Sequence, residues 1–342
     1  MWIRLKFFLL PFALLYGLLT SIRNKLYDFG IFKSHEIPVK SIVIGNLSAG
    51  GTGKTPFVLL IANHYSNKKI GIISRGYGRN TKGYIEVNLN HSATEVGDEP
   101  LLFRKELNAN CIVAVCENRY IGALNLLKEN NDIQLILFDD AFQHRRIKGG
   151  LSIVLSEFNK PFFKDFMLPM GYLREWKNGL KRADLLIFSK CPTNLTEKQK
   201  EHYRIKGNNY LSEVYFSSIA YHSLVPINKR VDSIKNILLV SGIANPKPLI
   251  EKLRENYNLE LMIFPDHHVF NESELTEIHQ KFDNFASEDK IILTTEKDAV
   301  RLNTYFQTHE GKSYPWYTIP ITIDILEDRY FFKKLDSYVG KI

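Results

Sequence analysis

The apolar run Ser41–Ile44 leads directly into Gly45–Pro56, GNLSAGGTGKTP, and this junction confines the chain to a narrow set of folds. A buried strand, a glycine-rich turn and Gly53-Lys54-Thr55 at a helix start form the plan of a phosphate-binding P-loop. Gly50, Gly51, Thr52 and Gly53 let the backbone curl so that several N–H groups meet one anion. The helix N-terminus adds partial positive charge, Lys54 reaches the terminal phosphates, and Thr55 offers its hydroxyl to Mg²⁺. Pro56 suits a first helical turn, which has no use for the missing N–H. The strict pattern asks for Gly at position 48, where this chain has Ser48, but Gly50 and Gly51 keep the loop flexible.

Beyond the P-loop, strand-like runs alternate with helical patterns. Ile70–Ser74, Cys111–Val115, Leu135–Phe138, Leu151–Leu155 and Leu185–Phe188 are short apolar runs of the buried parallel type. Thr55–Tyr65, Pro100–Leu107 and Arg119–Lys128 read as helices between them, and Tyr84–Val87 as one arm of a hairpin. The implied fold is α/β, a doubly wound, mainly parallel P-loop sheet. At 342 residues a second domain is expected, and the texture changes near residue 225. There Asn236–Val240, Leu261–Phe264 and Ile291–Thr295 alternate with helices in a smaller α/β unit. The expected division is an N-terminal segment over 1–30, a P-loop domain over 31–225, and the smaller domain over 226–342. The last of these ends in a closing amphipathic helix from Glu327.

Charge placement matters more than the net +8. Residues 1–40 carry six basic residues (Arg4, Lys6, Arg23, Lys25, Lys33, Lys40) and two acidic ones (Asp28, Glu36), a surplus of four. They surround the uncharged, mostly apolar stretch Phe7–Ile22, a combination suited to an anionic membrane surface. Sixteen helical residues reach only about 24 Å, short of a hydrocarbon core of about 30 Å. The segment is therefore a short anchor, an interfacial helix or a helix packed on the domain. Three cysteines without metal-ligand spacing indicate a reducing compartment. No basic stripe interleaved with aromatics appears, so nucleic acid is not an expected partner, and nothing requires an obligate protein partner.

Several constellations carry chemistry. The strand from Ile133 ends in Asp139 and Asp140, and beside a P-loop such a carboxylate faces the magnesium ion. Ala141–Arg146, with Gln143 and His144, follows that strand, where α/β proteins bind ligands. Arg75 and Tyr77 lie in a glycine-rich loop after the second strand and suit another anion. Asp98 and Glu99 stand just before a helix, where a cap is the bland explanation. Asp266-His267-His268 offers an acid/base pair with an orienting carboxylate. Arg174 and Glu175 close a further polar cluster. A membrane-associated P-loop ATPase switch is the alternative reading, although Ala49 stands where a signature lysine would sit. A guanine nucleotide is disfavoured, since no Gly follows Asp139-Asp140-Ala141-Phe142 at the D-x-x-G position.

Taken together, VIGNLSAGGTGKTP, ISRGYGR, VGDEP, LILFDDAFQHR, LPMGYLRE, FPDHHVF and TTEKDAVR resemble the tetraacyldisaccharide 4′-kinases of lipid A biosynthesis. Ser48 fits that family's loop. The resemblance implies ATP- and Mg²⁺-dependent phosphorylation of the 4′-hydroxyl of an acylated glucosamine disaccharide 1-phosphate, on the cytoplasmic face of the inner membrane. It casts Asp98 as the base, polarised by His267, with Lys54 on the phosphates. It places Thr55, Asp139, Asp140, Glu99 and Glu175 on the metal side, and Arg75, Tyr77, Gln143, His144 and Arg174 on the substrate side.

Overall fold

The computed structural model describes residues 7–285 and 287–340. The first half holds helix α1 (Leu10–Asp28), strand β1 (Lys40–Asn46), α2 (Lys54–His64), β2 (Ile70–Ser74) and β3 (Ile85–Glu86). There follow α3 (Ala93–Val96), α4 (Asp98–Glu106), β4 (Cys111–Val115), α5 (Arg119–Glu129), β5 (Leu135–Asp139) and β6 (Leu151–Glu157). Next come β7 (Leu185–Ser189), α6 (Glu197–Asn208), β8 (Val214–Tyr221), β9 (Val225–Pro226), β10 (Asn236–Ser241) and α7 (Lys247–Arg254). The chain continues through β11 (Asn258–Ile263), α8 (Glu272–Asp283), β12 (Lys290–Thr295), α9 (Glu296–Arg301), α10 (Asn303–Phe306) and α11 (His309–Ser313). It closes with β13 (Trp316–Ile319), β14 (Ile321–Ile325) and α12 (Asp328–Val339).

Nine strands form the large sheet in the order β14-β8-β7-β6-β1-β5-β2-β4-β3. Its seven inner strands are parallel, and both edges, β14 and β3, are antiparallel. Every residue of β2, β5 and β7 is buried, which explains their unbroken apolar runs. The α/β fold with a mostly parallel sheet is as expected. The segment read as a hairpin arm is instead the edge strand β3, since α3 and α4 intervene before its partner β4.

A second sheet, β11-β10-β12-β13-β9, is parallel except for β9. The chain leaves the large sheet at Tyr221 and enters this one at Val225. The C-terminal stretch assigned to the smaller domain departs from that expectation. β14 pairs with β8, and Phe331, Leu335 and Val339 of α12 are buried in the large-sheet core beside Phe57 and Ile61 of α2. The Phe57 and Phe331 rings meet edge-on at 5.8 Å. Burying that apolar face of α12 requires the chain to cross back after β13.

Helix α1 buries only Ala13 and Gly17, leaving Phe12, Leu14, Leu15 and Leu19 exposed. It is fastened by the Trp176 indole, which donates to the Gly17 carbonyl at 3.0 Å, and by Arg145, which donates to the Asn24 carbonyl at 2.7 Å. Among the described residues no helix is long and apolar enough to cross a membrane. Arg4 and Lys6, part of the N-terminal charge cluster, lie outside the described residues.

Candidate active site

The site lies where β1, β5 and β2 end on one edge of the large sheet. β1 and β5 are parallel neighbours, with Ile44 opposite Asp139, so the P-loop and the two carboxylates emerge side by side. Gly53 caps α2 with φ 84°, a left-handed conformation that costs glycine little. Gly45 lets the Ala141–Arg146 loop lie close, since a Cβ there would stand 2.5 Å from that of Phe142. From the other side, Ser189 donates to the Thr52 carbonyl at 2.7 Å and Lys190 donates to that of Gly51. The P-loop is thereby braced from β7 as well as from β5.

Asp140 adopts φ 44°, which an Asp tolerates better than most residues. Its carboxylate lies between Lys54, at 3.6 Å, and Arg174, which donates to both oxygens at 3.1 Å. Burial opposes ionisation of Asp140, but Lys54 and Arg174 outweigh it and hold its pKa below the usual range. Asp139 is buried and accepts from Ser74 at 2.8 Å, while its other oxygen has no partner among the described residues. Burial, then the charges of Glu99 and Asp140, push its carboxyl up to about 7. Arg119, buried at the start of α5, donates to the Asp140 carbonyl at 3.5 Å.

Asp98 and Glu99 open α4 against the same edge. The Thr55 hydroxyl donates to Glu99 at 3.0 Å, and Lys297 donates to the same oxygen at 3.2 Å. Asp98, 5% exposed, is approached from the second sheet. His267 Nδ1 stands 3.0 Å from Asp98 Oδ2, Arg301 donates to that oxygen through Nε at 3.1 Å and again through Nη2, and Lys297 lies at 3.8 Å. Burial raises the cost of this charge, yet the His267 bond and the two cations reverse it and hold the carboxyl far below its ordinary value. Among the described residues Asp98 Oδ1 accepts only the Glu99 N–H, at 2.8 Å, so it retains capacity for another proton. The Tyr77 ring lies 5.3 Å from that of His267.

The two histidines diverge. His267, at φ 60°, turns toward Asp98, whereas His268 pairs with Glu274 at 2.9 Å and stacks on Phe264. Arg301 is held by Asp298 at 2.6 Å and by the Gly242 carbonyl at 3.1 Å.

The expected residues do not all meet. Lys54, Thr55, Asp98, Glu99, Asp139, Asp140, Arg174 and His267 converge. Glu175 is buried and accepts from Arg182, Gln143 and Asn24, and so ties α1 to the sheet. Gln143 also donates to the Asn46 carbonyl at 2.7 Å, supporting the P-loop from behind. Arg75 is exposed at the end of β2, and His144 lines a cavity with Arg23 and Arg146. Lys297, Arg301 and Lys190 were not anticipated. The i, i+4 spacing of Lys297 and Arg301 on a helix capped by Thr295 was the signal available for the first two.

Among the described residues no group of three or more His, Cys, Asp or Glu side chains is arranged to hold a metal ion. Magnesium carried on nucleotide phosphates needs only one or two protein oxygens. The unpartnered, buried Asp139 oxygen and the Thr55 hydroxyl fit that requirement. At Asp139 the folded chain retains a proton that the unfolded chain, with a pKa of 3.8, releases, so stability falls as pH rises from about 4 toward about 7. Urea unfolding across that window should show a shallower pH slope for Asp139→Asn than for the wild type. An identical slope would contradict the assignment.

A sequence model of the family described as tetraacyldisaccharide-1-P 4′-kinase matches residues 5–340. The tetraacyldisaccharide 4′-kinase of Flavobacterium psychrophilum is 42% identical over 341 residues, covering 97% of this chain and 96% of that protein. The tetraacyldisaccharide 4′-kinase of Cytophaga hutchinsonii is 38% identical over 331 residues, covering 95% and 93%. The crystal structure of LpxK from Aquifex aeolicus in complex with ATP superposes with a TM-score of 0.77 at 28% identity, covering 98% of this chain and all of that one.

Proposed function

This chain belongs to the tetraacyldisaccharide-1-P 4′-kinase family, and from that membership we propose how its residues carry out the reaction. The enzyme is a kinase that uses ATP to phosphorylate the 4′-hydroxyl of an acylated disaccharide 1-phosphate. The P-loop amides, Lys54 and the N-terminus of α2 bind the triphosphate. Thr55 and Asp139, with Glu99 and Asp140 close by, would hold magnesium, which would neutralise charge on the phosphoryl oxygens. Arg174 supports the same charge from across Asp140.

Asp98 accepts the sugar hydroxyl proton on Oδ1 as the oxygen attacks the γ-phosphorus. The bond to the bridging oxygen breaks, and ADP leaves with that electron pair. His267 and Arg301 fix Asp98 in one orientation and keep it ionised. The observation that carries this reading is the Asp98–His267 contact beside Thr55 and Glu99. It joins the ends of two sheets over the phosphate loop. We further infer that the sheets act as two bodies whose approach assembles this pair, with residues 31–225 and the C-terminal return on one side. Tyr77 and Arg75 face the sugar.

The exposed apolar face of α1, followed by Arg23, Lys25 and Lys33, lies on the anionic inner-membrane surface toward the cytoplasm and brings the lipid within reach. ATP labelled on its γ-phosphate, incubated with purified chain and acylated disaccharide 1-phosphate in detergent, should transfer label to the lipid. Free labelled phosphate without labelled lipid would instead mark a switch-type ATPase.

A further inference from the structure

Among the described residues three non-glycine positions adopt a left-handed backbone: Asp140 at φ 44°, Lys190 at φ 57° and His267 at φ 60°. Such a conformation is unfavourable for a residue with a Cβ and persists only where its surroundings over-determine it. Asp140 and His267 belong to the catalytic cluster. Lys190, the first residue beyond β7, lies outside that cluster, and its turn is held on both sides. The Ser189 carbonyl accepts the Phe158 N–H at 2.8 Å, and the Cys191 N–H donates to the Ser217 carbonyl at 2.8 Å. Ser189 and Cys191 are both buried, so the turn is anchored in the core.

The turn sends the Lys190 side chain to the P-loop. Its Nζ donates to the Gly51 carbonyl, beside the Ser189 hydroxyl, which donates to the Thr52 carbonyl at 2.7 Å. Two successive carbonyls of the loop are thus held by the end of β7. A trans peptide points its N–H opposite its C=O, so the Thr52 and Gly53 amides turn away from β7. The Thr52 N–H closes a tight turn on the Gly50 carbonyl at 3.0 Å, and the Gly53 N–H is one of the amides a P-loop offers to an anion. Packing does not fix this part of the loop, because a Cβ on Gly50 or Gly53 would meet nothing within 4 Å. Glycines left to themselves also have the widest backbone freedom. Burial lowers the pKa of the Lys190 amine, with Glu157 opposing the fall and Lys160 and Lys54 adding to it. An amine partly stripped of water keeps its place where an acceptor replaces that water, and the Gly51 carbonyl does so.

We propose that Lys190 is a positioning residue for the nucleotide: its amine holds the Gly51 carbonyl so that the loop amides are set for the triphosphate before ATP arrives. The inference rests on the kinase reading and deepens it by naming what shapes the phosphate loop. The left-handed turn at Lys190 is what brings a side chain from β7 behind the loop. A loop already shaped loses little conformational entropy when it binds.

The test uses full-length wild type and the variants Lys190→Met, Lys190→Arg and Lys190→Gly. Lys190→Met keeps an apolar stem and removes the amine, so Kd for ATP by calorimetry and KM for ATP should both rise about tenfold, as for one lost charge-assisted hydrogen bond. At saturating ATP, kcat for lipid phosphorylation should stay within about threefold, since the bond acts equally on bound substrate and transition state. Lys190→Arg can still donate and should bind ATP within about threefold of wild type. Lys190→Gly relieves the left-handed strain while removing the same amine. Its unfolding midpoint should lie no more than about 3 °C below wild type, yet its KM for ATP should rise as for Lys190→Met. Unchanged ATP affinity in Lys190→Met and Lys190→Gly would overturn the proposal. So would a loss of ATP binding in Lys190→Gly matched by a collapse of its unfolding midpoint, which would make the residue merely structural. A kcat loss at unchanged KM would place Lys190 on the transferring phosphoryl group and likewise overturn it. If the wild-type chain binds ATP but labels no lipid, the kinase reading falls, and calorimetry still decides the role of Lys190. A wild-type chain that takes up no ATP removes both.

Discussion

Replacing Asp98 by Asn should lower kcat for lipid phosphorylation by about 10²–10⁴-fold, the range a positioned general base contributes. The substitution keeps the shape of the side chain and removes its negative charge and its capacity to accept a proton on Oδ1. Arg301 retains Asp298 and the Gly242 carbonyl, so the second sheet keeps its local structure. ATP affinity should stay near the wild-type value, because the P-loop contacts do not involve Asp98. The signature is therefore a kcat loss with little change in KM for ATP, read from initial rates of lipid labelling. A variant retaining more than about a tenth of wild-type turnover would remove Asp98 as the base.

Lys54→Ala should cost as much or more, and differently. Lys54 stands at the start of α2, paired with Asp140 at 3.6 Å, and in the proposed mechanism it binds the triphosphate. Without it, Asp140 and Asp139 face an incoming triphosphate with less opposing charge. Removing one preorganised electrostatic contact typically costs about 10²–10³-fold in kcat, and here weaker ATP binding adds to it. Calorimetry should show reduced ATP affinity alongside the lost turnover, unlike Asp98→Asn. Unchanged ATP binding would mean that Lys54 is not on the phosphates.

The contrast between these residues reflects what a linear sequence encodes. The P-loop and the Asp139–Asp140 strand end are local patterns, in which strand, turn and helix follow within a dozen residues, and the structure places them side by side. The company around Asp98 is not local. His267, Lys297 and Arg301 arrive from the second sheet, 169 to 203 positions away. The family resemblance paired Asp98 with His267, but spacing alone favoured a helix cap. Lys297 and Arg301 remained unassigned because charges four apart on a short helix usually face solvent.

Topology was lost for a related reason. β13 and β14 are separated by Pro320 alone, yet they belong to different sheets. Nothing in either strand announces the switch; it is set by the apolar face of α12, which must be buried on α2. Strand β8 was also passed over, because Ser217 and Ser218 interrupt its apolar run. Glu175 shows the limit of reading roles from residue type. A carboxylate beside an expected metal site turned out to be consumed by Arg182, Gln143 and Asn24.

A double-mutant cycle on Asp98 and His267 tests most directly whether the two sheets supply one catalytic unit. Turnover of acylated disaccharide 1-phosphate would be measured for Asp98→Asn, His267→Ala and the pair. If the imidazole works through the carboxylate, the double variant should be no slower than Asp98→Asn alone, within about threefold. Losses that multiply would show two independent roles and contradict the account.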